Sequence, residues 1–245
     1  MKYFLQCLSV GLLLSLNTVT AQAALLSRSG GSMIYDTDLD ISWVADASLF
    51  KTQIVNDASL VDAIINNVGS VSDSYSGSHN LTAGDFAFAS FGLATWWGAQ
   101  AWAANLSYGG YSDWRLPTTP GTATSDFNQT DSELGHLFYT ELGGTAFNSI
   151  ITNHNDNYNL SSNIQAGVYW SGNESESVNT PDPGYAWNFN TSNGYQNAFS
   201  LKDNHFIPWA VRSGDVAAVP VPASIWLFIS GLLGFFGMKR LGNIG

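Results

Sequence analysis

Cysteine is nearly missing from this chain: of 245 residues only Cys7 is one, and it lies in an apolar N-terminal stretch. Everything beyond it lacks disulfides and thiol nucleophiles, so a packed core must hold the fold. Cations are the second shortage. Eight Lys and Arg face 19 Asp and Glu, for a net charge of −11. Without Lys2, Lys239 and Arg240, five cations remain against the same 19 acids, a net of −14. That field repels nucleic acid and anionic lipid and suits sulfated polysaccharides poorly; its plainest use is solubility outside the cell. No Gly-x-Ser-x-Gly elbow surrounds a serine, and His79, His136, His154 and His205 lack zinc-type spacing. No internal repeat is visible, and no spacing selects a catalytic carboxylate pair. The expectation is a protein that is not an enzyme and needs no cofactor.

Both apolar stretches are short. Lys2 precedes a run from Tyr3 to Leu16, interrupted by Gln6, Cys7, Ser9, Gly11 and Ser15, and Ala21-Gln22-Ala23-Ala24 follows. A positive start, a short apolar middle and small alternate residues read as a signal peptide, residues 1–23. Signal peptidase would cut after Ala23, with Ala21, Ala23 and Ala24 marking the site. At the rear, Val219-Pro220-Val221-Pro222-Ala223-Ser224 leads into the uncharged Ile225 to Met238, then Lys239-Arg240. Those fourteen residues make a helix of roughly 21 Å against a hydrocarbon core of about 30 Å. Pro220 and Pro222 discourage extending it backwards. The segment enters a bilayer only by thinning it or by snorkelling of Lys239 and Arg240, which suits a transient hold in the inner membrane. The basic pair places the end in the cytoplasm and the body outside.

The Pro motif, apolar stretch and basic pair, in that order, resemble the PEP-CTERM sorting signal of Gram-negative bacteria, more narrowly its Val-Pro-Leu-Pro-Ala variant. Val221 stands where many members have Glu. The resemblance covers residues 216–245 and implies removal of the tail by an exosortase, a membrane cysteine protease. The destination would be the cell surface or the extracellular space.

Residues 24–215 remain as one domain of ordinary size, holding all the tryptophans except Trp226. Met33-Ile34-Tyr35 and Ile41-Ser42-Trp43-Val44 flank an Asp-rich segment and predict a β-hairpin; Asp36, Asp38 and Asp40 read as turn residues, not calcium ligands. Leu60, Val61, Ile64, Ile65 and Val68 predict a helix capped by Asp57. Gly69 to Gly84 reads as a loop. A second helix is predicted from Trp96 to Leu106, closed by Gly109-Gly110. A third follows a Thr130/Glu133 capping box, with Leu134, Leu137, Phe138 and Leu142 as its apolar stripe. After Gly167, aromatic strands are predicted at Val168–Ser171, Tyr185–Phe189, Ala198–Leu201 and Trp209–Arg212. Helices first and strands later indicate an α+β domain with two or three helices and short antiparallel strands.

The blocks Trp102-Ala-Ala-Asn-Leu106, Asp113-Trp-Arg-Leu-Pro-Thr118, Gly167-Val-Tyr-Trp-Ser171, Tyr185-Ala-Trp-Asn-Phe189 and Ala210-Val-Arg212, in this order, resemble the Lcl C-terminal domain family. Tyr35-Asp36-Thr37 to Trp43 fits its usual start. The resemblance spans residues 33 to 213 and implies a C-type-lectin-like fold in non-catalytic surface proteins. Glycosaminoglycan binding belongs to the founding adhesin, and the acidity of this body argues against that ligand.

Two functions stay open: a non-enzymatic surface or matrix protein contributing to extracellular polymer or biofilm, and a lectin-like module binding extracellular polysaccharide. For the second, Arg115 would fork onto a carboxylate or sugar hydroxyl, and Trp170 and Trp187 would stack on sugar. Trp187-Asn188 resembles the start of the lectin Trp-Asn-Asp motif, with Asn188 a candidate calcium oxygen. Exposure of Trp96, Trp97, Trp170 and Trp187 along one groove would favour it. The plainer reading pairs Arg115 with Asp113, two residues away on the same side of an extended block. Glu174, Glu176 and Asp182 offer oxygens for calcium, although a solvated acidic loop is the simpler account.

Overall fold

The Asp-rich segment after Tyr35 starts the first sheet. In the computed structural model, which describes residues 25–74, 77–175 and 184–216, Asp36 Oδ1 accepts the amides of Asp38 at 3.0 Å and Leu39 at 3.1 Å. This turn joins β2 (Met33–Asp36) to β3 (Ile41–Val44), antiparallel as predicted; β1 (Leu25–Arg28) pairs with β2. The last strand, β9 (Val211–Ser213), returns to pair with β3, giving the order β1-β2-β3-β9. Among the proposed sites, Ala21, Ala23, Ala24, Glu176, Asp182 and the tail residues Val219, Pro220, Val221, Pro222, Ala223, Lys239 and Arg240 lie outside the described residues.

Helices lie between the first and last strands. The predicted helix is present as α2 (Leu60–Val68); α1 (Leu49–Asn56) precedes it unpredicted, its apolar residues Leu49, Phe50, Ile54 and Val55 forming no single stripe, with Val55 exposed. Asp57 is not the N-cap of α2, where Ser59 stands; it ends α1, its amide donating to the Gln53 carbonyl, and its Oδ1 accepts from Ser59 N and Oγ. Where a loop was expected, β4 (Ser70–Asp73) and β5 (Gly77–Asn80) form a hairpin. α3 (Trp96–Asn105) is capped by the Thr95 hydroxyl, which accepts from Gly98 N. It ends on extended Leu106; Gly109 and Gly110 instead supply the positive φ of a turn between Tyr108 and Tyr111. α4 (Glu133–His136) starts at Ser132 rather than Thr130, the Ser132 hydroxyl accepting from Gly135 N at 2.9 Å. Glu133 does not fold back in a capping box, because Arg115 takes its carboxylate. α4 runs directly into a π turn, Leu137–Glu141.

The second sheet follows the predicted aromatic strands: β6 (Val168–Glu174), β7 (Tyr185–Asn190) and β8 (Tyr195–Leu201), antiparallel in that order. The domain is therefore mixed α+β, with three antiparallel sheets among the described residues. Its interior is two aromatic clusters. One gathers Phe50, Ile64, Trp96, Trp102, Trp114 and Trp170 under the helices; the other gathers Trp43, Phe138, Tyr169, Phe189 and Trp209 against the first sheet. Consecutive β6 residues Tyr169 and Trp170 feed opposite clusters, as the alternation of a strand requires. Two of the buried indoles donate to backbone carbonyls, Trp209 Nε1 to Val44 and Trp170 Nε1 to Ala94, whereas Trp43 Nε1 has no acceptor. Among the described residues no helix is long and apolar enough to cross a membrane.

Candidate functional site

The residues nominated for ligand binding are spent on the fold. Trp170 is fully buried and packs on Phe206 with ring centroids 4.5 Å apart. Trp187 and Asn188, adjacent on β7, are buried too, as is Trp96; Trp97 is half-buried and stacks on His79. No groove of tryptophans is available to a sugar ring at these positions, because the aromatic spacing that suggested one serves the core. Arg115 is half-exposed and makes a fork with Glu133, both N···O distances 2.7 Å, while Glu133 also accepts the Thr118 amide. Its partner is thus not Asp113. That carboxylate belongs to Arg212, which sits 4.1 Å over the Tyr111 ring, and the guanidinium hydrogen bond holds Asp113 below the usual carboxylate range.

Glu174, offered for calcium, is also committed. It accepts from Ser74 N and Oγ and lies 3.4 Å from Lys202 Nζ. Lys202 has no exposed surface on its side chain; Asp73 lies 3.2 Å away and the Trp96 ring 4.9 Å below the ammonium. Trp97 Nε1 donates to the same Asp73 carboxylate at 2.7 Å. This buried network fastens the β4–β5 hairpin to the second sheet, with the cation shared by two acids and an aromatic face.

A second buried charge cluster has spare capacity. Asp36 at the end of β2, His136 at the end of α4 and Glu141 at the end of the π turn bring one donor atom each within 4.8 Å of one another. His136 Nε2 lies 3.3 Å from Glu141 Oε1 and 3.8 Å from Asp36 Oδ2. Both carboxylates are buried, and both Asp36 Oδ2 and Glu141 Oε2 lack any hydrogen-bond donor. Burial, opposed by the Leu39 amide and reinforced by the charge of Glu141, pushes the Asp36 carboxyl up. The hydrogen bond to Glu141 and the nearby acids push His136 up against the effect of its own burial.

The fold creates this meeting. In an α-helix, positions five apart point about 140° away from each other at 3.6 residues per turn. The π turn closes with an i→i+5 bond from Leu142 N to Leu137 O and carries Glu141 back towards His136. Asn155 and Asn157 then pin the Glu141 carbonyl, each side chain donating at 2.9 Å. In sequence, His136 and Glu141 have no helical metal spacing, Asp36 reads as a turn residue a hundred positions earlier, and the stripe Leu134, Leu137, Phe138 and Leu142 keeps helical spacing straight through the π turn, so no local pattern marks the meeting.

Comparison with family models, with curated proteins and with solved structures returns no match. Function has to be argued from residues and geometry.

Proposed function

We propose that this chain is an exported, non-enzymatic protein of the cell surface or extracellular matrix. The signal peptide 1–23 sends it out, the tail 216–245 holds it briefly in the inner membrane, and an exosortase-type protease removes that tail. In this reading it contributes to extracellular polymer or biofilm. The observation that carries the proposal is the closure of the first sheet by its own ends. β9 pairs with β3, and Arg28 grips Asp215 with two guanidinium nitrogens at 2.7 and 2.9 Å. Among the described residues the last strand of this sheet ends at Ser213, upstream of Val219, so a cut at the Pro motif leaves β1, β2, β3 and β9 in place. A mixed domain whose first and last strands share a sheet also supports the C-type-lectin-like reading, as do the Lcl-type sequence blocks. Mass spectrometry of the mature protein from cells with active sorting machinery tests the route. The expected C-terminus lies upstream of Trp226, and an extracellular protein that retains Trp226 would refute processing.

A second reading, carbohydrate binding, is favoured by one surface. Phe147 is 74% exposed, adopts a positive φ of 67°, and lies against Phe127 with ring centroids 4.1 Å apart. Tyr195 also meets Phe127, edge to face with ring centroids 4.8 Å apart, and Asn128 and Asn148 supply polar neighbours in the chain. A bulky residue held at positive φ is a strained feature. Retention of the full chain on the producing cell's own polysaccharide, with and without calcium, tests it; Phe147→Ala should abolish that retention. No retention of the wild type in either condition removes this reading.

A further inference from the structure

We propose that Asp36, His136 and Glu141 bind one divalent first-row transition-metal ion, with zinc as its natural representative, and that the ion staples the first hairpin to the π turn. One imidazole and two carboxylates form a donor set suited to zinc or manganese. Calcium, which takes six to eight oxygens, does not call for an imidazole. The spacing agrees. Two ligands about 2.0–2.1 Å from a tetrahedral ion sit about 3.3 Å apart, and the His136 Nε2 distances to the two carboxylates are 3.3 and 3.8 Å.

The unused oxygens make the stronger argument. Asp36 Oδ1 is held by the Asp38 and Leu39 amides, which orients Oδ2 towards the cluster; Oδ2 itself receives no hydrogen bond. Glu141 Oε2 is equally buried and equally unpartnered. Buried carboxylate oxygens of this kind are costly unless a cation or donor meets them. A protonated His136 meets only part of the demand, since its Nε2 carries one proton for two acids and leaves Glu141 Oε2 without a donor. A dication balances both acids with the imidazole neutral. The surroundings also act as supports for ligands: amides fix Asp36, and Asn155 and Asn157 fix the turn that carries Glu141.

The test uses the purified full chain stripped of metal by a chelator. Zinc, manganese and calcium are titrated separately by calorimetry, and thermal unfolding is followed at each end point. The expected result is one equivalent of zinc or manganese with micromolar or tighter affinity. At a hundredfold excess over Kd the unfolding midpoint should rise by about 5–10 °C. Glu141→Gln and His136→Gln keep shape and should each weaken binding at least about a hundredfold, with near-UV circular dichroism of the buried tryptophans reporting whether they fold. Should either variant fail to fold, cobalt added to the wild type provides the second readout: the intense visible absorption of a tetrahedral site should appear at one equivalent. Absence of stoichiometric binding by the wild type overturns the proposal, as does unchanged binding in folded Glu141→Gln. Tighter binding of calcium than of zinc would overturn the metal class.

Discussion

Lys202 offers the sharpest test of how charge is used inside this domain. Its ammonium lies 3.2 Å from Asp73 and 3.4 Å from Glu174, with no exposed side-chain surface. At an effective dielectric of about 20, each such contact is worth about 5 kcal/mol before desolvation is subtracted. Desolvation cancels much of that, so the net worth of the intact network is small, but removing one partner leaves the others uncompensated. Lys202→Met keeps the length and apolar stem while leaving Asp73 and Glu174 without their cation. The expected loss is about 3–5 kcal/mol. In urea, with a slope of about 1–3 kcal/mol per molar, the midpoint should fall by at least about 1 M. Tryptophan fluorescence reports the transition, since Trp96 and Trp97 flank the ammonium. Adding Asp73→Asn and Glu174→Gln to Lys202→Met should recover most of the loss, because the burden is stranded charge rather than missing volume. The defect should persist at 1 M salt, where exposed pairs are screened. A Lys202→Met midpoint within about 0.3 M of wild type would refute the reasoning, placing these groups in effective contact with water.

Trp170→Ala should cost about 3–5 kcal/mol in urea unfolding, because it opens a large cavity and leaves the Ala94 carbonyl without its indole donor. A stable Trp170→Ala protein that loses only polysaccharide retention would contradict the structural role given to it. Gly135→Ala should destabilise by about 1–3 kcal/mol despite alanine's higher helix propensity, since its Cβ would be driven into the Gln129 carbonyl and lie 2.9 Å from the Ser132 hydroxyl; equal or greater thermal stability would refute this. Burial alone would raise the Asp85 carboxyl, but the Thr82 amide, the Thr95 hydroxyl and His79 outweigh it and hold Asp85 below its ordinary value. Its contribution is therefore present above the unfolded value near 3.9 and is lost as pH falls through the lower folded value. The unfolding midpoint should drop steeply below about pH 4 in the wild type and less steeply in Asp85→Asn; identical acid slopes would refute the assignment.

Patterns with a short period are legible in the sequence. The β2–β3 hairpin, α2, α3 and the aromatic strands β6 to β8 follow from alternation, helical spacing and turn residues. α1 and the polar β4–β5 hairpin carry too weak a periodicity to be read, and elsewhere expectation and structure part where two local partners compete. Thr130 and Ser132 both precede Glu133, and the chain chose Ser132 because Arg115 draws Glu133 away. Asp113 stood two residues from Arg115, yet β9 brings Arg212 to Asp113 and α4 brings Glu133 to Arg115. Tryptophan spacing could not separate a sugar platform from a core, since both ask for aromatics on one side of a strand; burial decided for the core.

The sequence alone determined the strongly periodic elements, a thiol-free acidic body, and the expectation of a signal peptide and sorting tail, because composition and short periodic patterns act over a few residues. Only the tertiary structure decided which charges meet. Asp36, His136 and Glu141 are joined by a hairpin turn and a π turn whose contact spans a hundred residues, and side-chain identity at each position carries no record of a partner that chain folding alone supplies.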